Sequence, residues 1–369
     1  MSYYPNLVLD ALRHVIHPEK AKDIVSLEMV EDDIRIDGKR ISFSLLFDRA
    51  TDPMIKPIRR AAVQAIKTHV GEDVEIEGNI YIKVKKRQIK ETGKALPEVK
   101  NVIAIASGKG GVGKSTITSN LAVALAQKGY KVGLLDADIY GPSMPKMFGT
   151  EDARPVLEKV NGQDKITPVE KYGVKMLSIG YFVNPDDALV WRGAMATGAL
   201  KQLISDGLWG ELDYLIMDLP PGTSDIHLTL VQTLAITGAV VVSTPQEVAL
   251  ADARKGISMF QGEQINVPVL GLVENMAWFT PAELPDNKYY IFGQDGCKRL
   301  AESMDVPLLG QIPIVQSIRE GGDAGSPSAL DKDSVTGRAF HELADAVVAS
   351  VEKRNQELPA TKIVEVTRK

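Results

Sequence analysis

Apolar positions along this chain fall into short unbroken runs separated by longer stretches of helical spacing. The run VIAIA at 102–106 is β-branched or small throughout, the pattern of a strand buried on both faces of a parallel sheet. Runs at 131–135, 212–217, 239–243 and 269–273 predict further buried strands. After the first run the spacing turns helical, with Ile117, Leu121, Val123, Leu125 and Ala126 on one apolar face. Helices are also expected over 224–237, 248–261, 293–304 and 334–351. Residues 354–369 read as a C-terminal tail, loosely held from Pro359. Strands alternating with helices predict an α/β fold, a mostly parallel sheet flanked by helices, over 99–353.

The first 84 residues have a different rhythm. Helical spacing over 4–15 puts Val8, Ala11, Leu12 and Val15 on one face, and 57–70 repeats it. Strand patterns are expected at 24–30, 34–36, 41–46 and 74–84, with Asp37-Gly38 turning between the second and third. The order α-β-β-β-α-β predicts a small α+β domain, residues 1–84. His17-Pro18 and Asp52-Pro53 read as turn chemistry. Lys83, Lys85, Lys86, Arg87, Lys90, Lys94 and Lys100, set around Gly93 and Pro97, mark 85–98 as a solvated basic linker. No aromatic residue interleaves those charges, so a nucleic-acid partner is not expected.

Composition narrows the setting. With 369 residues, 44% hydrophobic and 25% charged, the chain can bury a large core and has the balance of a globular protein. Its net charge of −5 and pI near 5.7 argue against a nucleic-acid surface as its main purpose. No apolar stretch is long enough to span a bilayer, and Met-Ser-Tyr-Tyr-Pro does not start a secretory signal, so no membrane role is expected. A single cysteine, Cys297, excludes an intrachain disulfide and fits a reducing compartment, the cytoplasm by default.

The chemistry concentrates where the first strand meets its helix. Gly108-Lys109-Gly110-Gly111-Val112-Gly113-Lys114-Ser115-Thr116 fits the phosphate-binding loop of nucleoside triphosphatases. Backbone amides and the helix N-terminus hold anionic oxygens, Lys114 neutralises the outer phosphates, and Ser115 ligates Mg²⁺. Gly108, Gly110 and Gly113 also satisfy a dinucleotide fingerprint, with Asp136 where a ribose ligand would sit. Lys114-Ser115 directly after the last glycine, and a second acidic strand end at Asp218, favour ATP over a dinucleotide. Asp136 and Asp138 close the strand at 131–135, where open α/β sheets bind ligands. Such carboxylates can orient water or accept hydrogen bonds from the waters of Mg²⁺. Asp218 opens the turn Leu219-Pro220-Pro221-Gly222-Thr223, in which Gly222 can bring its N–H to a γ-phosphate. A loop that touches only that phosphate can report hydrolysis by relaxing. His227, on an apolar helix face, reads as a packed histidine.

The lysine directly after the first glycine marks the deviant form of this loop. That form occurs in division-site and plasmid-partitioning ATPases and in the nitrogenase iron protein. Asp136-Ala137-Asp138-Ile139-Tyr140-Gly141-Pro142-Ser143, Trp191-Arg192-Gly193, Asp218 to Thr223, Thr244-Pro245-Gln246 and Val273-Glu274-Asn275-Met276 narrow the likeness. Together they resemble the Mrp/ApbC branch of the MinD/ParA-like superfamily, the iron–sulfur cluster carrier ATPases. The N-terminal segment resembles the small domain found alone or fused to ATPases among iron–sulfur assembly proteins. Some stand-alone relatives carry a reactive cysteine near the position of Asp52, and this chain has none.

The resemblance implies an Mg²⁺-dependent, homodimeric ATPase that hands iron–sulfur clusters between scaffold and recipient proteins. Lys109 would reach the partner's nucleotide, Asp138 would orient water, and Asp136 and Asp218 would support Mg²⁺. Asn275 would contact adenine, and Pro313 resembles the loop lining the base. Arg192 matches a family segment without a physical role. Many members follow Glu-Asn-Met with Cys-x-x-Cys, from which two subunits pool thiolates around a cluster. Here 277–285 reads AWFTPAELP, without a thiol. Two copies of Cys297 would supply only half of a four-thiolate site, and a lone cysteine is more often a small buried residue. The residues therefore leave two alternatives open. One is a cluster carrier with non-cysteine or borrowed ligands, and the other is a MinD/ParA-like regulatory switch without a cluster.

Overall fold

The computed structural model describes residues 3–18, 22–27, 29–31, 33–47, 52–84, 96–160, 162–182, 193–262, 265–281, 283–284, 286–361 and 363. It divides into two compact units, residues 1–91 and 92–369. Most of the basic linker at 85–98, and Trp191 and Arg192, lie outside the described residues.

In the first unit, helix α1 (Pro5–Leu12) is followed by strands β1 (Arg35–Asp37) and β2 (Arg40–Phe47), helix α2 (Ile55–His69) and strand β3 (Ile80–Val84). The strands form one sheet in that order, β2 antiparallel to β1 and parallel to β3. Ile41, Phe43, Leu45 and Phe47 alternate inward from β2 against Val8 and Leu12 of α1 and Ile58, Ala62 and Ile66 of α2. Both helices therefore cover one face of the sheet.

The strand expected at 24–30 does not form. The Asp23 carboxylate accepts the N–H groups of Val25 and Ser26, and Met29 N–H donates to Ile24 O, so this stretch closes into turns. An aspartate that bonds its own backbone two and three residues on competes directly with strand pairing. Among the described residues the stretch meets the sheet at one isolated bridge, Val30 to Leu45, where Leu46 N–H donates to Met29 O and Glu31 N–H to Ser44 O. Likewise 74–79 is a turn joined by one bridge, Arg40 to Glu75, and the strand begins at Ile80.

The second unit opens with β4 (Val99–Ser107), α3 (Lys114–Gln127), β5 (Val132–Asp136) and a short α4 (Met144–Met147). A two-stranded ribbon follows, β6 (Val156–Val160) with β7 (Gln163–Thr167), then β8 (Val169–Lys171) and β9 (Val174–Ser178). Next come α5 (Gly193–Ser205), β10 (Leu212–Asp218), α6 (Asp225–Thr233), β11 (Gly238–Ser243) and α7 (Glu247–Gln261). The chain ends with β12 (Val269–Phe279), α8 (Gly296–Met304), β13 (Leu308–Ile314), α9 (Gln316–Asp323) and α10 (Val335–Glu357).

Eight strands make one sheet in the order β13-β12-β11-β4-β10-β5-β9-β8. Every pairing is parallel except the last, β8 with β9. Apolar layers lie on both faces, which is why β4, β10 and β11 read as continuous apolar runs. The chain leaves β4 for β5 on one side and later returns as β11 on the other. The crevice beyond the C-terminal end of β4 is thus the switch point where such sheets bind ligands.

Two expectations near the C-terminus change. Helix α10 runs to Glu357, past the tail boundary expected at 354, and the Arg354 guanidinium ties Pro359 O and Thr361 Oγ1 to its last turn. Pro313 lies not in a loop but in edge strand β13, beside a register irregularity with β12. An edge strand tolerates the missing N–H.

Candidate functional site

The loop between β4 and α3 is shaped by its glycines. Gly111 and Gly113 take φ of +82° and +84°, a region that favours glycine. A Cβ on Gly108 would stand 2.1 Å from the Asp252 carbonyl carbon, so the loop presses on the α7 backbone. A Cβ on Gly113 would meet Asn275 Nδ2 at 2.1 Å, whereas nothing lies within 4 Å of one on Gly110 or Gly111. The loop is thus wedged at both ends and open in the middle, where a phosphate can approach the amides. Val112 is buried beneath it, and Thr116 is half-buried in the first turn of α3.

Three elements deliver charge to this opening. Lys114, the first residue of α3, is 6% exposed, and its Nζ lies 2.8 Å from Asp218 Oδ2 and 3.7 Å from Asp138 Oδ2. Asp218 closes β10 and is fully buried; it accepts from Ser115 Oγ at 2.7 Å and Thr118 Oγ1 at 2.6 Å. Asp136 closes β5 in register with Asp218. Its Oδ2 accepts from Ser178 Oγ at 2.9 Å and Met144 N at 3.2 Å, and its Oδ1 from Asp138 N at 3.2 Å. Burial first, and then the charge of Asp218, push the Asp136 carboxyl up to about 7. Burial also raises Asp138, against the pull of the Lys114 ammonium.

Lys114 therefore links Asp138 to the hydrogen-bonded pair Ser115–Asp218, with Asp136 one residue pairing away. The others stand apart from this cluster. Lys109 is half-buried and makes no ion pair among the described residues; its carbonyl accepts from Ser107 Oγ. Gly222, at φ +80°, donates its N–H to Ser107 O at 2.9 Å. Asn275 donates Nδ2 to Val112 O at 2.8 Å, and Met276 after it holds φ +57°. Pro313 follows Ile312, the register partner of Asn275.

Some participants were not singled out from the sequence. Thr118 stands four residues after Lys114 on the same helical face, a spacing that could have revealed it. Ser178 lies 42 positions from its carboxylate, beyond any local pattern. His227 is buried as expected, but it is more than packing. Ser224 N–H donates to its Nδ1 at 3.2 Å at the start of α6, while its buried Nε2 has no partner among the described residues. Burial holds its pKa below the usual histidine range.

The sole cysteine is sealed. Cys297 is 0% exposed, its N–H donates to Glu274 Oε2 at 2.7 Å, and Gln311 Nε2 takes the other oxygen at 2.7 Å. Burial and the neighbouring Glu274 raise its thiol far above the range where thiolate forms, the opposite of a metal-ligand environment. Beyond Asn275, strand β12 continues to Phe279, which pairs with Tyr289, and Lys288 Nζ sits 3.8 Å from the Trp278 ring centroid. Among the described residues no three His, Cys, Asp or Glu side chains gather where they could hold a metal ion. No described helix is long and apolar enough to cross a membrane.

Residues 98–348 match the family model described as NUBPL iron-transfer P-loop NTPase of the ParA group, and residues 6–77 match that of an iron–sulfur cluster assembly protein. A Synechocystis protein named iron–sulfur cluster carrier protein is 42% identical over 93% of this chain and 97% of its own. The structure of an Archaeoglobus fulgidus nucleotide-binding protein in complex with ADP is similar at 39% identity and a TM-score of 0.55, covering 63% of this chain and 88% of that one. The Pyrococcus furiosus cell division ATPase MinD is similar at 26% identity and a TM-score of 0.51, covering 68% of this chain and 98% of its own.

Proposed function

The chain belongs to the NUBPL/ParA family of iron-transfer P-loop NTPases, and on that premise we propose that it is an Mg²⁺-dependent ATPase. It works as a cytoplasmic homodimer and carries iron–sulfur clusters to recipient proteins. The observation that carries the ATPase reading is the contact of Lys114 Nζ with Asp218, which also accepts from Ser115. A cation, a hydroxyl and a carboxylate converge at the mouth of an open glycine loop, the set that phosphoryl transfer uses.

The residues imply an order of events. Phosphate oxygens replace Asp138 and Asp218 as partners of Lys114. Ser115 and Asp218 then present the hard oxygen donors that suit Mg²⁺, with Asp136 behind them. The ion, when bound, neutralises charge on the β- and γ-phosphates. Asp138, released from Lys114, orients the attacking water, and its raised pKa makes it the better proton acceptor. Gly222 exchanges Ser107 O for a γ-phosphate oxygen, so the loop before α6 tightens with ATP and relaxes after hydrolysis. Asn275 exchanges Val112 O for the base, with Pro313 nearby. Lys109, without an ion-pair partner among the described residues, adds charge at the partner's nucleotide.

The cargo side differs from the pattern of many relatives. Cys297 is closed off and 277–285 has no thiol, so the cluster is held by other ligands, including thiols of the scaffold or recipient. The same burial favours a second reading, a nucleotide switch without a cluster. Anaerobic reconstitution of the full chain with iron and sulfide separates the two. We expect equal cluster absorption and bound iron in wild type and Cys297→Ser. Absence from both supports the switch, and loss only in the variant makes Cys297 a ligand and contradicts this account.

A further inference from the structure

At the start of β4, the end remote from the phosphate loop, the second unit holds a cavity of about 240 Å³. Its walls come from β4, the connection between α6 and β11, the last turn of α10 and the chain just beyond it. Val99, Val102 and Leu234 form an apolar side, while Lys100, Thr237 and Arg354 supply donors. Among the described residues no aspartate or glutamate lines it. We propose that this cavity binds a short aliphatic monocarboxylate, with the carboxylate on Arg354 and the alkyl body against the apolar side.

Arg354 carries the argument. It is only 9% exposed, yet its hydrogen bonds go to neutral oxygens. Nη1 donates to Asn355 Oδ1 at 3.0 Å, and Nη2 donates to Pro359 O at 2.8 Å and Thr361 Oγ1 at 2.9 Å. These bonds use three of the five N–H groups of a guanidinium, and the buried Nε has no partner among the described residues. Burying a cation without a counter-ion or a full set of acceptors is costly. Burial accordingly lowers the Arg354 pKa, and no neighbouring negative charge opposes the shift. Fastening the chain beyond α10 explains the Nη2 bonds, but a neutral donor could make them. The helix dipole favours a cation in this last turn, but an exposed one would profit equally. A bound anion supplies the missing charge.

The surroundings set the class of anion. Lys100 Nζ lies 2.8 Å from Asp213 Oδ1, so its charge is already matched. Arg354 therefore leaves one positive charge in excess, which suits a monoanion better than a doubly charged phosphate. Thr237 is 5% exposed, and its Oγ1 accepts from Val102 N–H at 3.0 Å, which leaves the hydroxyl proton to donate to a carboxylate oxygen. At about 30 Å³ for each water-sized atom group, the cavity fits roughly eight non-hydrogen atoms, the size of hexanoate.

Hexanoate is the probe, titrated into the full-length protein in saturating MgADP, which occupies the phosphate loop. Calorimetry should show one hexanoate per chain, with affinity rising about fourfold for each CH₂ from acetate to hexanoate. Hexanol, which lacks the charge, should bind at least about tenfold more weakly. These wild-type readings do not depend on the folding of any variant. Arg354→Gln keeps an amide donor for the chain beyond α10 and should weaken hexanoate binding about tenfold or more. Ala235→Leu, on the cavity wall, keeps the guanidinium but takes up the space, and it should also weaken binding. No hexanoate binding by wild type, hexanol binding as tightly as hexanoate, displacement of hexanoate by an equal concentration of inorganic phosphate, or unchanged affinity in Arg354→Gln would overturn the proposal.

Discussion

Two corners of the same sheet hold buried acids and put them to opposite use. At the ends of β5 and β10, Asp138 and Asp218 flank one lysine beside an open glycine loop, with the buried Asp136 paired behind Asp218. At the end of β12, Glu274 is as deeply buried, but both its oxygens are taken by Cys297 N–H and Gln311 Nε2. On the proposed reading Lys114 exchanges its carboxylates for phosphate at the open middle of the loop, where nothing lies within 4 Å of a Cβ on Gly110 or Gly111. Glu274 has nothing to exchange with, and by capping α8 it seals the only thiol. The first corner is arranged for chemistry and the second for stability. Buried charge marks a functional site only when a ligand can replace one of the partners.

That contrast predicts different symptoms when each corner is damaged. Apart from loss of Lys114 itself, the largest effect is expected at Gly108→Ala, whose Cβ would collide with the α7 backbone. Displacing the loop by a fraction of an ångström to an ångström should lower ATP affinity about 100-fold, measured by calorimetry. Affinity within a few-fold of wild type would mean that the wedge does not shape the site. Glu274→Ala should instead cost about 1–3 kcal/mol of stability, because it orphans the buried Cys297 N–H at the start of α8 and frees the half-buried Gln311 amide. Urea unfolding reads this, and ATP turnover of the folded variant should stay within about tenfold of wild type. A selective loss of turnover at unchanged stability would erase the distinction.

The smallest effect is expected at His227, on the border between the two behaviours. Its pKa is lowered by burial, so the unfolded chain binds the proton more readily than the folded one. Stability should therefore be lost as pH falls below about 6.5, the ordinary histidine value. His227→Gln keeps an acceptor for Ser224 N–H at the third helical position and removes the titration. Unfolding midpoints at pH 7.5 and 5.5 should diverge in wild type and converge in the variant. Parallel declines would place the pH dependence elsewhere.

The nucleotide corner was largely legible because its cause is local. Gly108 to Ser115 fix loop shape and charge within eight positions, and β4 and α3 announce themselves by period. Asp136 and Asp218 were found as polar residues ending apolar runs. The partners that complete the corner were harder to see, since Ser178 is brought in only by the pairing of β9 with β5. At the second corner the burial of Cys297 agrees with the expectation for a lone cysteine, but its cause was not legible. The burial of Cys297 depends on Glu274, 23 positions earlier on another element. At 24–30 the apolar pattern was real, but the Asp23 carboxylate overrode it by bonding its own backbone. The ribbon β6–β7 escaped because β6 is exposed along its whole length and lacks the alternation that marks a half-buried strand.

The central claim is that Lys114, drawn from Asp218 and Asp138 to the phosphates, is the point where ATP acts on this protein. Steady-state ATP turnover by Lys114→Ala, compared with wild type under saturating Mg²⁺, tests it most directly. The account predicts a fall of about 10²–10³-fold in kcat, the scale of losing one charged stabiliser of the transferring phosphate. Turnover within about twofold of wild type would contradict it.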